Sequence, residues 1–373
     1  MSKAAELAAL IGSGQAQGNK NLIINGAMNV AQRGTSATGL GSGGTFTYNS
    51  QDRWYFLTVG SAAARFTQTV STDVPDNTDF STSLKLECTT ASGTVGAAHR
   101  QQIGQKLEAQ NNQALRYGKS NAKSATLSFW VKATKTGKNY AWLYAGDASK
   151  FSYISYTINT SNTWEYKTVT FTGDTAASIA NDNGEGLSVI WMLYLGSDYT
   201  SDSSGSENTW IAWNSSNYDQ FHGQVNHADS TSNSFLITGT QLEIGEVATA
   251  FEHEDIGTTL AKCQRYFHRF QSDTAYDAFA PAYWLVTTQV YSMYEFPVTM
   301  RTQPSLAISA TSDWRIHSNG GDGVLGSLVA NRNTPNNMQT YSDQSSNTGT
   351  AGHAGAIRNN NTASAYIEFN AEL

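Results

Sequence analysis

Aromatic side chains set among amides and carboxylates are the part of this sequence best suited to chemistry. The segment Tyr194–Phe221 holds many of them, namely Tyr194, Tyr199, Trp210, Trp213, Tyr218 and Phe221. A pyranose ring stacks on the face of a tryptophan or tyrosine, while neighbouring Asn, Asp, Gln or Arg side chains bind its hydroxyl groups. We therefore take as candidate carbohydrate-binding residues Tyr199, Trp210, Trp213 and Tyr218, with the two tryptophans as the foremost stacking candidates. The alternative is that these rings pack in a protein core.

A loop rich in hard oxygen ligands is a second candidate site. Asp174, Asp182 and Glu185 lie near one another in the sequence, with Asn181 and Asn183 between them. Ca²⁺ prefers carboxylate and amide oxygens, although this spacing does not match an EF-hand. The stretch NDNGEG is also typical of a tight turn, because Asn and Gly tolerate positive φ. Two interpretations follow, a structural calcium site or a simple turn.

Catalytic motifs are missing from the sequence. Its 7 histidines form no H-E-x-x-H pattern, and no G-x-S-x-G element occurs. A glycosidase needs only two carboxylates about 5–9 Å apart, a condition that sequence spacing does not test. We expect a protein without enzymatic activity.

Composition narrows the class of partner. Charged residues make up 14% of the chain, against about 25% in average soluble proteins. A formal net charge of −7 argues against nucleic acid as a partner, because phosphate binding needs clustered Lys and Arg. An apolar run of about 18 residues, the minimum for a transmembrane helix, does not occur. The abundance of Gly, Ser, Thr and Asn is typical of short strands joined by turns.

Hydrophobic periodicity predicts an all-β body. Apolar and polar residues alternate in Thr126–Lys132, as in a strand with one buried face. Leu187–Leu195 is apolar on both faces, which predicts a central strand in a sheet covered on both sides. Turn signals at short intervals, without a βαβ pattern, favour a two-sheet sandwich. Within it, Trp54 and Trp130 are interpreted as core or inter-sheet residues.

The N-terminal segment has a helical pattern. Leu7, Leu10 and Ile11 fall on one face of a helix predicted over residues 2–11. A helix this short is marginal in water, so it either docks on a neighbouring subunit or frays. We take these three residues as candidate anchoring residues.

The chain changes character near residue 255. Asp255 is predicted to begin a helix that ends near Tyr266, and Ala282–Tyr294 is predicted to be one long aromatic strand. The predicted organisation is an N-terminal anchoring peptide, a β-sandwich, a helical junction and a smaller C-terminal β domain, over residues 1–20, 21–255, 256–270 and 271–373.

Several ordered motifs resemble a known family. The first strand of that family's fold resembles NLIINGAMNVAQRGT at Asn21–Thr35, and its last strand resembles ITGTQLEIGEVATAFEHEDI at Ile237–Ile256. Further similar runs lie at Asp52–Phe56, Gln105–Gly137, Thr163–Thr175, Asn181–Leu193 and Ala261–Arg269. Over roughly residues 20–270 the sequence resembles the carbohydrate-binding-like β-sandwich of structural and fibre proteins of tailed, especially marine, bacteriophages. The resemblance implies a jelly-roll-like sandwich.

The same resemblance implies a role in a virion. The expected function is that of a tail fibre or appendage that attaches to host-surface glycans and assembles in the host cytoplasm. Homotrimers are the expected state, with other virion proteins bound through the N-terminal segment and with structural Ca²⁺ as the one cofactor considered. A capsid decoration or head-fibre protein that uses the sandwich as an assembly module is the alternative. A glycan-degrading tailspike is a third reading.

Overall fold

The computed structural model describes residues 20–44, 46–214, 219–344 and 348–373. The candidate anchoring residues Leu7, Leu10 and Ile11 and the candidate sugar-binding Tyr218 lie outside the described residues. The chain divides into two units, one ending at Thr259 and one formed by Leu260–Glu372. In the described segments, none of the helices combines the length and the apolar character that crossing a membrane requires.

Short antiparallel strands build the first unit. In the described part of the chain they are β1 (Ser36–Leu40), β2 (Phe46–Tyr48), β3 (Tyr55–Val59), β4 (Arg65–Ser71), β5 (Ser83–Thr90), β6 (Arg100–Glu108), β7 (Ala125–Ala133), β8 (Gly137–Ala145), β9 (Lys150–Ile158), β10 (Glu165–Phe171), β11 (Glu185–Leu195), β12 (Ile211–Ala212) and β13 (Ser234–Ile244). Its helices, in the described part, are a 3₁₀ helix at Ala109–Leu115 and the short α1 (Ser197–Thr200). Helix α2 (Ile256–Gln264) follows β13 and includes residues of both units, and a 3₁₀ helix at Thr311–Asp313 belongs to the second unit.

Two antiparallel sheets cover one apolar core in the first unit. Sheet A has the strand order β1-β4-β5-β13-β7-β10, and sheet B has the order β12-β9-β8-β11-β6-β3-β2. Trp191 lies in the core between them, with its ring centroid 5.6 Å from that of Trp54 and 5.4 Å from that of Phe129. The predicted all-β, jelly-roll-like sandwich is confirmed.

Strand β11 is buried on both faces, as its sequence predicts. Trp191 belongs to the core between the sheets, whereas Ile190 and Met192 belong to an aromatic cluster on the outer face of sheet B. Tyr199 and Phe221, from the segment between β11 and β13, complete that cluster. Sheet B is therefore covered on both sides over part of its area.

The two tryptophans interpreted as core residues differ in position. Trp54 is fully buried in the core. Trp130 is half-buried on the outer face of sheet A, 5.3 Å from the ring centroid of Tyr166. Its neighbours Phe129 and Val131 point into the core, so alternation along β7 turns Trp130 outward. The interpretation of Trp130 as a core residue was wrong.

The second unit is also built from β-strands. They are β14 (Phe267–Gln271), β15 (Ala278–Val286), β16 (Gln289–Glu295), β17 (Ser305–Ile308), β18 (Trp314–Ser318), β19 (Gly321–Val324), β20 (Val329–Asn333), β21 (Asn337–Asp343), β22 (Ala354–Asn359) and β23 (Tyr366–Asn370). Sheet C has the order β14-β23-β17, and sheet D has the order β19-β18-β22-β15-β16-β21-β20. Trp284 and Trp314 are buried in the core of this unit.

The predicted strand Ala282–Tyr294 is a hairpin. Strands β15 and β16 pair antiparallel, with Tyr283 opposite Tyr291, and Thr287 and Thr288 form the turn. The single-strand prediction was wrong because both arms are rich in aromatic and β-branched residues. The turn carries none of the Gly, Asn or Asp signals that usually identify a hairpin.

Candidate binding site

A depression of about 280 Å³ lies on the outer face of sheet B, beside the aromatic cluster. The residues that line it are Phe46, Tyr55, Leu57, Arg100, Gln102, Lys106, Trp142, Tyr144, Glu185, Ser188, Ile190 and Trp213. Strand register brings them together. Lys106 pairs with Ser188 across β6 and β11, and Ser188 pairs in turn with Tyr144 on β8. Because paired residues share a face of the sheet, side chains distant in sequence line one surface.

An ion pair crosses the depression. The Lys106 ammonium lies 2.9 Å from the Glu185 carboxylate and 4.0 Å from the centroid of the Phe46 ring. The Ser188 hydroxyl donates a 2.7 Å hydrogen bond to the other carboxylate oxygen of Glu185. Burial, followed by the negative charge of Glu185, raises the pKa of Tyr55 well above its ordinary value.

Arg100 adds a second cation beside the aromatic rings. Its guanidinium carbon lies 4.9 Å from the centroid of the Trp213 ring and 5.3 Å from that of Tyr199. Cation–π contacts of this kind hold an arginine side chain against aromatic faces. With Arg100 and Lys106 set against Glu185, the lining has a positive balance of formal charge.

Two polar atoms in the lining are buried without a hydrogen-bond partner among the described residues. They are the amide oxygen of Gln102 and the indole nitrogen of Trp142. Both side chains are only 2% exposed. A buried polar group without a partner costs about 1–3 kcal/mol. Both atoms are buried beneath the surface of the depression rather than exposed within it.

Three of the four predicted sugar-binding residues lie in the described part of the chain, and their positions differ. Trp213 lines the depression, and its ring centroid lies 4.9 Å from that of Trp142. Tyr199 is buried beneath Arg100. Trp210 packs against Tyr117 and donates a 2.7 Å hydrogen bond to the Thr172 carbonyl, away from the depression. Tyr218 lies outside the described residues.

Most of the lining was missed by sequence reasoning. Several lining residues lie on strands rather than in the aromatic segment Tyr194–Phe221, namely Phe46, Gln102, Lys106 and Tyr144. A usable signal was present in β8, where Tyr140, Trp142 and Tyr144 recur with the period of a strand. Three aromatic residues on one face of a strand indicate either a core or a binding surface.

The three carboxylates considered for calcium have other partners. Asp174 is 2.5 Å from the Lys150 ammonium, and Glu185 is paired with Lys106. Asp182 accepts a 2.8 Å hydrogen bond from the Gly184 amide, which is the geometry of a turn. Among the described residues, no group of three or more His, Cys, Asp or Glu side chains is arranged to hold a metal ion. Calcium binding stays a prediction of the sequence alone.

Adding Ca²⁺ to EDTA-treated protein is expected to leave the melting temperature unchanged. Asp174 and Glu185 are already neutralised by lysines, and a ligand that binds only the folded state would raise the melting temperature. Differential scanning fluorimetry with Mg²⁺ as the control checks this. A calcium-specific rise that EDTA reverses would contradict it and restore the calcium interpretation.

Comparisons with known proteins found no matching family model and no matching curated protein. Similar solved structures include the enzymatically active domain of bacteriophage CBA120 tailspike protein 4, at 13% identity and a TM-score of 0.30, over 60% of this chain and 21% of that one. This chain thus spans about a fifth of the length of the tailspike chain. A CBM4 structure is similar at 14% identity and a TM-score of 0.29, over 59% of this chain and 97% of that one.

A family 11 carbohydrate-binding module from Clostridium thermocellum, solved with a mixed-linked tetrasaccharide, is similar at 10% identity and a TM-score of 0.27. That match covers 54% of this chain and 91% of the module. The structural neighbours are thus carbohydrate-binding modules and a phage tailspike domain, all at low identity. At these TM-scores the likeness carries no inference about this chain.

Proposed function

We propose that the first unit binds a saccharide in the depression on sheet B, and that the chain is a non-enzymatic attachment protein of a tailed-phage virion. One observation carries the binding proposal. A single depression combines aromatic side chains, the Lys106–Glu185 ion pair and the guanidinium of Arg100. Aromatic surface with a few convergent polar groups is the general anatomy of a ligand site.

The lining supports a specific mode of binding. The C–H face of a sugar ring would stack on Tyr144 or on Phe46, whose side chain is 44% exposed. Ring hydroxyls would bond to the carboxylate of Glu185 and to the ammonium of Lys106. The volume of about 280 Å³ is just below the usual range for ligand pockets, about 300–1,000 Å³, so one or two sugar units fit best. The positive balance of charge favours acidic over cationic saccharides.

Binding without cleavage is part of the proposal. Glu185 is the one carboxylate among the described residues that line the depression. Glycoside hydrolysis ordinarily needs a pair of carboxylates about 5–9 Å apart. Incubation with host polysaccharide should therefore produce no new reducing ends, and their release would support the tailspike alternative.

The virion role is supported by the sequence motifs over residues 20–270 that resemble phage fibre proteins. Weak saccharide sites gain avidity when a particle displays many copies, which suits a shallow depression. Homotrimer formation, and contact with other virion proteins through the N-terminal segment, belong to the same proposal. Immunogold labelling of intact particles tests it. Label on the tail would support attachment, whereas label over the whole head would favour a capsid decoration or head-fibre protein.

Replacing Tyr144 by alanine is expected to weaken saccharide binding about tenfold, because one stacking face is lost. Lys106→Gln should weaken it by a similar factor, since a cation that attracts an acidic ligand is lost. Isothermal titration with an acidic oligosaccharide selected on a glycan array measures both. Tyr283→Ala, which removes an exposed aromatic ring from the second unit, is the matched control. Unchanged affinity in both site variants would refute the proposed site.

A further inference from the structure

The outer face of sheet A carries a groove around Trp130. Two depressions, of about 430 Å³ and about 410 Å³, share Trp130 as a lining residue. Phe80, Tyr166 and His253 line the first of them, and Trp164 lines the second. Both belong to the sheet opposite to the one that holds the Lys106–Glu185 depression. The groove is therefore a separate surface of the first unit.

Local irregularity in a central strand shapes the groove. The register of β13 against β7 shifts between Thr238 and Gln241, and Gly239 lies at this bulge with φ of +58°. A Cβ atom at position 239 would lie 2.5 Å from Phe80 Cζ and 3.1 Å from Trp130 Cδ1. Glycine thus permits the left-handed backbone at this position, and it lets the rings of Phe80 and Trp130 lie close to the backbone. Bulges of this kind recur beside binding sites because they redirect side chains.

Two of the aromatic residues in the groove, Trp130 and Tyr166, are partly exposed. Tyr166 is 45% exposed and lies opposite Trp130 in the strand register, with 5.3 Å between the ring centroids. The Phe80 ring also lines the groove and packs against Phe251 and His253, with 5.0 Å and 5.2 Å between the ring centroids. Adjacent, partly exposed aromatic rings on a sheet face are suited to stack consecutive sugar rings.

Carboxylates on the loop between β4 and β5 give the groove a negative rim. Asp79 lines the first depression, and Asp73 and Asp76 line the second. Asp73 accepts hydrogen bonds from Lys132 and from the Trp164 indole, at 2.7 Å and 2.9 Å. Burial acts to raise the pKa of Asp73, but these two bonds and the positive charges of Lys132 and Lys85 together lower that pKa. The balance of charge is opposite to that of the sheet B depression.

We propose that the groove around Trp130 is a second saccharide-binding site, which takes internal units of a linear chain free of acidic groups. The inference rests on the proposed function for its ligand class. Depressions on both sides of one tryptophan fit a chain that crosses the ring and continues in both directions. Hydroxyl groups of the chain donate to Asp76 and Asp79, and the same carboxylates repel polyanions.

A sandwich with two such sites would bind two classes of saccharide through its two outer faces. Acidic units would occupy the sheet B depression, while neutral chains would cross Trp130 on sheet A. Simultaneous binding to a mixed surface polymer would raise the apparent affinity above that of either site alone.

Titration of the full chain with two kinds of probe tests the second site. The neutral probes are cellohexaose, laminarihexaose, xylohexaose and mannohexaose, and the acidic probe is hexagalacturonate. We expect Tyr166→Ala and Trp130→Ala to weaken binding of the best neutral hexasaccharide at least tenfold and to leave hexagalacturonate binding unchanged. Tyr144→Ala should do the reverse. Tyr166 is exposed enough for its variant to fold, and the thermal melt of each variant confirms folding.

The outcomes separate the two proposals. Suppose that Tyr144→Ala loses binding of the neutral hexasaccharide, while Trp130→Ala and Tyr166→Ala keep it. That result would overturn the second site and leave the sheet B site intact. Neutral binding that depends on Trp130, without any hexagalacturonate binding, would support the second site and count against the first. Failure of all four neutral probes to bind at millimolar concentration would also overturn the second site.

Discussion

Replacing Trp191 by alanine is expected to lower the free energy of unfolding of the first unit by about 3–5 kcal/mol. Trp191 is fully buried between the two sheets, where it contacts Trp54 and Phe129. Removing a ring of this size loses its transfer free energy and leaves a cavity that β-strands close only in part. Typical domains are stable by about 5–15 kcal/mol, so this single change removes a large share.

Phenylalanine at the same position separates packing from hydrogen bonding. The Trp191 indole nitrogen has no hydrogen-bond partner among the described residues, so Trp191→Phe loses volume but no hydrogen bond. We expect a smaller loss than for alanine. Urea unfolding of the full chain, followed by hydrogen exchange of β11 amides, measures both variants. A loss below about 1 kcal/mol for Trp191→Ala would contradict the central role of this ring.

Acidification from pH 6.5 to pH 4 is expected to destabilise the first unit by about 3 kcal/mol through His227 alone. His227 is 1% exposed, and its Nε2 lies 2.7 Å from the Asn139 side-chain oxygen. Burial, followed by the positive charge of Lys135, lowers the pKa of His227 to about 4, against the nearby negative charge of Asp229. The folded state therefore holds the imidazole neutral, while the unfolded chain takes up a proton near pH 6.5.

The sign of the effect follows from proton uptake. Because the unfolded state binds more protons between pH 4 and pH 6.5, the stability from neutral His227 is complete above pH 6.5 and is lost as the pH falls towards 4. His227→Gln removes the titrating group and keeps a donor for Asn139, so its stability should depend less on pH in this window. His222→Gln, at an exposed position of the same unit, is the control. Equal pH slopes for the two variants in urea unfolding would show that His227 does not carry the effect.

The second unit should respond to acid with the same sign. Burial lowers the pKa of His268 to about 4, so protonation again favours the unfolded chain in this pH window. Calorimetry of the full chain would therefore show acid destabilisation in the transition of each unit.

The fold class could be predicted from the sequence because the patterns that indicate it are local. The alternation in β7 and the two-sided apolar character of β11 are visible within ten or so neighbouring residues, and each reports the environment of its own strand. The hairpin of β15 and β16 could not be predicted from the sequence, because its Thr287–Thr288 turn lacks the Gly, Asn or Asp residues that usually identify a hairpin turn. Periodicity gives the face of a side chain, but it does not identify what covers that face.

The binding surfaces were decided by the tertiary structure. Trp213 was identified by composition, but Lys106, Ser188 and Tyr144 share one row only because β6, β11 and β8 pair in a particular register. Register depends on long-range pairing and turn geometry, which no single segment encodes. Alternation along β7 established by itself that Trp130 and Phe129 point in opposite directions. Alternation does not determine which of these two side chains points into the core. In the folded structure the second sheet covers Phe129, whereas Trp130 lies beside Tyr166 on the outer face.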